Sequence, residues 1–198
     1  GDDYTTTLTS EDTNKLSTYL NSGGKLFISG QDIGFDIRTD PFYSNYLHAV
    51  YNVDDTNIYD LIGQTGDPIG DGLTIHISSG DGANNQNYPE GISTTGGSTP
   101  VFQYQGSPHL GGLKYEGTYK IVYFGFGFEA INSMTDRTTV MQRIMNWLGG
   151  GVVNVPDIVV DDMNLYYLIP SGTTINDIFR IRNHNSASDD LTYVLSFV

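Results

Sequence analysis

Two stretches place apolar residues at helical spacing. Leu16, Tyr19 and Leu20 follow Thr9-Ser10-Glu11-Asp12, where a hydroxyl cap and two acids suit a helix start, and Gly23-Gly24 closes the run. Val140, Ile144 and Leu148 form a second row, with Met141 and Met145 beside it. Ser133 or Thr135 caps this helix and Gly149-Gly150-Gly151 ends it. Asp40-Pro41 opens a further helix through Phe42, Tyr46 and Leu47, with proline at a first-turn position. Lys25–Ser29 and Tyr119–Phe124 are short, nearly continuous apolar runs of the kind buried on both faces, and Leu73–Ile77 and Val101–Tyr104 also read as strands. Helix, glycine turn, buried strand, glycine turn is the unit of a parallel α/β sheet, and that architecture is the expectation for residues 1–150.

After Gly151 the pattern changes. Ile158–Val160, Leu165–Ile169, Ile175–Ile181 and Leu191–Val198 are strand-like, with turn residues between them and no helical period. Pro156 and the preceding Gly, Asn and Val residues make a linker, so a domain boundary is expected near residues 150–156. Residues 151–198 form the second unit.

Charge narrows the partners. The 198 residues carry 9 Lys+Arg against 23 Asp+Glu, a net charge of −14. Such a surface repels nucleic acid and anionic lipid, and no apolar run reaches the ~20 residues of a membrane helix. Cysteine is absent, which excludes disulfides, thiolate zinc sites and a cysteine nucleophile. Few lysines, with much Thr, Asn, Gly and Tyr, point to an extracellular or cell-surface location. The start, Gly1-Asp2-Asp3-Tyr4, has neither a basic end nor an apolar stretch, and a segment of a longer protein is expected.

Gly23-Gly24-Lys25-Leu26-Phe27-Ile28-Ser29-Gly30-Gln31-Asp32-Ile33, together with Tyr123-Phe124-Gly125-Phe126-Gly127-Phe128-Glu129-Ala130-Ile131 and the helix after it, resembles a class I glutamine amidotransferase-like (flavodoxin-like) domain of large secreted prokaryotic proteins. The resemblance covers roughly residues 1–150 and implies a three-layer parallel-sheet fold lacking its first strand. It also implies a dead site: Ser29-Gly30-Gln31-Asp32 holds no thiol at the elbow, and Gly127 or Phe128 stands where the base beside Glu129 would be. The tail, from Val155-Pro156-Asp157 through Ser171-Gly172-Thr173 to Ile181-Arg182-Asn183-His184-Asn185, is similar to bacterial immunoglobulin-like surface modules. It is long enough for only part of such a sandwich, so either the module is expected to continue beyond these residues or a neighbouring chain completes it by strand addition.

Ser29, Gln31 and Asp32 end a buried strand, where open α/β sheets place ligands. With Asp36 and Glu129 they outline a vestigial pocket. The structural alternative is that Asp32 caps the next helix and Glu129 anchors backbone amides. Asp67, Asp71, Asp81 and Asn84, with Asn85, offer oxygens to calcium, although the spacing is not an EF-hand and Gly-Asp-Gly runs commonly form plain turns. His48, His76, His109 and His184 are scattered without zinc-ligand spacing. Ser107-Pro108-His109 lacks a nucleophile elbow, and Gly125-Phe126-Gly127-Phe128 lacks the third glycine of a dinucleotide fingerprint.

The expected function is therefore non-catalytic: a structural or interaction segment of a larger extracellular protein, with filament formation by strand sharing as one version. Its partners would be other copies of itself or other domains of the same parent. The alternatives are an accessory domain of a secreted hydrolase such as a peptidase, or a calcium- or carbohydrate-binding module built on the Tyr- and Asp-rich loops. No cofactor is expected beyond calcium.

Overall fold

The computed structural model describes residues 6–149, the strands Ile158–Val160 and Ile181–Asn183, and Gly172. The chain divides into two compact units, Gly1–Gly151 and Val152–Val198.

The first unit begins with α1 (Ser10–Asn21), held by a reciprocal capping box in which Asp12 N donates to Thr9 Oγ1 and Thr9 N to Asp12 Oδ2. Gly23, at φ +87°, turns the chain out of the helix, and β1 (Lys25–Ser29) follows. Two single-turn helices, α2 (Ile33–Ile37) and α3 (Pro41–Asn45), lead into β2 (Ala49–Val53). Asp40 caps α3 by accepting from Phe42 N at 2.8 Å. Next come β3 (Asp60–Gly63), β4 (Thr74–His76), β5 (Gly91–Thr94), β6 (Thr99–Tyr104), β7 (Leu110–Glu116) and β8 (Lys120–Phe124). A 3₁₀ turn (Phe128–Ala130) and α4 (Met134–Trp147), capped by Ser133, close the unit.

The strands form one mixed, curled sheet in the order β1-β8-β7-β6-β3-β4, with β5 joining β7 at Ile92–Leu110 and β2 pairing β5. Only β1 and β8 run parallel, in the register Lys25–Lys120 to Ser29–Phe124, and every other described pairing is antiparallel. Register shifts between β6 and β7, at Pro100/Phe102 and Phe102/Gln103, supply the irregularities that bend a sheet. At its end β3 packs against the loop after it: a Cβ on Gly63 would overlap the backbone of Gly70.

Both sheet faces are covered. Val122 and Phe124 of β8 point into one core with Leu61, Phe102, Phe126, Val140 and Ile144. Ile121 and Tyr123, alternating with them, point into a second core with Leu20, Phe42, Tyr43, Leu47, Ile92 and Leu113. That double burial is why β8 reads as a continuous apolar run.

The expected three-layer, parallel-sheet α/β fold is therefore not formed, and the flavodoxin-like, amidotransferase-like reading of residues 1–150 is withdrawn. A helix–glycine–strand unit recurs in the sequence, but hydrophobic period does not specify which strand pairs with which. Here the two apolar runs pair with each other, β8 buried on both faces and β1 only half-buried at the sheet edge, while antiparallel pairings build the rest.

In the second unit β9 (Ile158–Val160) and β10 (Ile181–Asn183) pair antiparallel. The expected strands at Leu165–Ile169 and Leu191–Val198, and all but the last residue of Ile175–Ile181, lie outside the described residues. Among the described residues this unit shows one antiparallel pair and no sandwich, and the immunoglobulin-like resemblance of the tail is withdrawn with the rest.

Candidate functional site

The carboxyl ends of the parallel pair converge on one polar recess. β1 delivers Ser29, Gly30 and Gln31; the segment after β8 delivers Gly127 and Glu129; and the loop before β5 lays Asn85 and Gln86 across them. The recess has a volume of about 160 Å³. Gln86 is buried beneath it, while Asn85 and Glu129 stand exposed at its rim.

Its walls are braced by side-chain amides. Gln31 Oε1 accepts from Gln86 Nε2, from Asn87 N at 2.8 Å and from Tyr88 N at 3.0 Å, and Gln31 Nε2 donates to Asn85 O at 3.3 Å. Gln86 Oε1 accepts from Gly127 N at 2.6 Å. Asn85 Nδ2 donates to Glu129 Oε1 at 2.9 Å, which orients the carboxylate. Ser29 Oγ accepts from Phe128 N at 3.3 Å. Position 127 cannot carry a side chain without displacing that carboxylate, since a Cβ there would stand 2.8 Å from Glu129 Cδ.

At the start of α2 lies a carboxylate that sequence reasoning missed. Glu90 is completely buried. Its Oε1 accepts from Phe35 N at 2.6 Å, and its Oε2 from Gly34 N at 3.0 Å and Tyr123 Oη at 3.0 Å. Burial pushes its carboxyl up to about 7, although those three donors pull the other way. Glu90 therefore does the work imagined for Glu129, anchoring the backbone amides at the start of α2. In the sequence, Pro89-Glu90-Gly91 resembles an exposed turn, so only the absence of other charge around it could have signalled burial.

The other expected residues are placed as follows. Asp32 occupies the N-cap position of α2 at φ +69°, but its side chain makes no capping hydrogen bond. Desolvation, reinforced by Asp54, raises its carboxyl above the usual range. Asp36 accepts from Thr7 N and Thr7 Oγ1 at 2.9 and 2.8 Å, apart from the recess.

The oxygens offered to calcium are engaged in turns. Asp67 accepts from Ile69 N and Gly70 N and forms a buried ion pair with Lys114. Asp71 accepts from Gly66 N. Asp81 pairs with Arg137 at 2.8 Å and accepts from Met134 N, and Asn84 Oδ1 accepts from Ser79 N. Among the described residues no group of three or more His, Cys, Asp or Glu side chains is placed to hold a metal ion.

The histidines are likewise separate. His48 Nε2 lies 2.8 Å from Tyr119 Oη, and its ring stacks on Tyr115. His76 pairs with Asp60 at 2.7 Å. Ser107 Oγ accepts from His109 N within the β6–β7 turn. His184 lies outside the described residues. Phe126, between Gly125 and Gly127, stacks on Phe124 in the core. Among the described residues no helix is long and apolar enough to cross a membrane.

No family model matches the sequence, and no curated protein matches it. Among solved structures the chain is similar to the mmIFT52 N-terminal domain, with a TM-score of 0.51 and 16% identity over 74% of this chain and 74% of that one. At that identity the likeness concerns the fold. It is a likeness to a curled mixed sheet, not to an amidotransferase. The extracellular or cell-surface placement, secretion and filament expected from composition are withdrawn as well, because the neighbour is a domain of an intraflagellar transport protein and supports none of them. An acidic, cysteine-free composition suits solubility in any compartment.

Proposed function

We propose that residues 6–149 form a non-catalytic recognition domain of a larger protein or assembly, acting by shape and contact. Its partners are other domains of the same parent or further copies of the chain. The observation that carries this reading is how the polar groups at the strand ends are used. Ser29 Oγ, at the end of β1, accepts a backbone N–H from Phe128. Gln31 and Gln86 brace the loop before β5, and Glu90 is enclosed by its three donors. A nucleophile needs a base within hydrogen-bond reach, whereas these groups brace the walls of a small polar recess. Tyr88, half-exposed and tied through its backbone to Gln31, adds an aromatic contact beside that recess.

The test is a turnover screen of the full chain with ester, amide, phosphate-ester and glycoside substrates. The expected result is no rate above the blank. Turnover that disappears in Glu129→Gln or Asp32→Asn would overturn the proposal.

A further inference from the structure

We infer that the recess at the ends of β1 and β8 is a binding site for a primary ammonium group, as carried by a lysine side chain or a free polypeptide N-terminus. The inference rests on the recognition reading and names what is recognised. Three observations carry it. First, Glu129 is the one charged residue among those lining the recess, and the others are carboxamides, a hydroxyl and glycines. The charge to be complemented is therefore a single negative one. Second, that carboxylate is positioned in advance: Asn85 Nδ2 holds Oε1 at 2.9 Å, and the Ser29 hydroxyl and the Asn85 carboxamide line the same recess. A tetrahedral ammonium donates three hydrogen bonds and accepts none, which suits a carboxylate set among neutral oxygen-bearing side chains. Third, a volume of about 160 Å³ equals roughly five water molecules' share of the liquid. That admits the end of an alkylammonium chain and excludes a nucleotide.

The braces described above keep this geometry in the free protein, so little ordering opposes binding. The net charge of −14 draws cations toward the whole surface. Charge alone does not localise them, so the test must separate site binding from general attraction.

n-Butylammonium chloride is titrated into the full chain at constant ionic strength, with backbone and side-chain amide resonances followed by NMR; 1-butanol and tetramethylammonium are run in parallel. Saturable shifts at millimolar amine, confined to Asn85, Gln86, Gly127 and Glu129 and absent with both controls, are expected. Glu129→Gln should weaken the affinity at least tenfold. Asn85→Ala, which keeps the charge but releases the carboxylate, should weaken it several-fold. Shifts that stay linear and scatter over the acidic surface, that 1-butanol reproduces, or that persist unchanged in Glu129→Gln would overturn the inference. Two peptides, one with a single lysine and an acetylated start and one with a free N-terminus and no lysine, identify the source of the ammonium by which of them competes. Conversion of the amine to a product would instead overturn the recognition reading, so the two failures are distinct.

Discussion

Replacing Glu90 by Gln removes a carboxyl that the core encloses without a cationic partner. In the folded chain its carboxyl titrates at about 7, against an ordinary 4.5, because burial outweighs the N–H groups of Phe35 and Gly34 and the Tyr123 hydroxyl. Between those two values the folded state holds a proton that the unfolded chain has lost. Stability therefore falls as pH rises through that window and levels off above it. At about 1.4 kcal/mol for each pH unit between the values, the loss is ~3 kcal/mol. His48 acts in the opposite sense: desolvation lowers its imidazole below the ordinary 6.5, so its contribution grows as pH rises toward that value. Subtracting variant from wild type cancels His48 and leaves Glu90. Urea unfolding of the full chain, followed by fluorescence of its single tryptophan, Trp147, reports on this unit. The stability of Glu90→Gln relative to wild type should improve by ~2.5 kcal/mol between pH 5 and pH 8. A difference that stays flat across that range, or a Glu90 carboxyl carbon resonance titrating below pH 5, would refute the account.

Two further outcomes follow from packing. Tyr119→Phe removes the hydroxyl that donates to Asn45 O at 3.0 Å and meets His48 Nε2; it should cost about 1–2 kcal/mol at neutral pH, read as a lower urea midpoint, and an unchanged midpoint would show those bonds to be idle. Gly63→Ala drives a methyl into the Gly70 backbone and should lower stability by at least ~2 kcal/mol, whereas the same change at Gly66, with open space around it but φ at +78°, should cost only about 1 kcal/mol.

Elements whose signal is local were legible in the sequence. The Thr9 cap with Asp12, the apolar runs of β1 and β8, and the Val140–Ile144–Leu148 row of α4 all stand where period and capping put them. β7 was hidden because Gly111 and Gly112 interrupt it, and those glycines are required by what lies across the sheet. A Cβ at 111 would strike Leu61, and one at 112 would press on the Phe124 ring. β3 and β5, four residues each, are too short to show alternation. Strand partnership was not legible at all, and with it went the fold class. Ser29 and Gln31 were singled out by the strand-end argument and Glu129 by the family resemblance, and the structure brings the three to one recess. Gln86 was missed because an Asn/Gln-rich loop reads as solvent-facing until the sheet beneath it is known. Asp67 shows the converse: a residue read as a calcium ligand is neutralised by Lys114, which no neighbouring position in the sequence announces.

The pairing of β1 with β8 also sets a timetable for synthesis. Lys25 leaves the ribosome about 95 residues before its register partner Lys120, and at roughly 5–20 residues per second that interval lasts roughly 5–20 s. Throughout it the nascent chain displays Leu26-Phe27-Ile28 without the ladder neighbour that β8 provides, so this segment is where a holdase chaperone would find its target and where a prematurely terminated product would begin to aggregate.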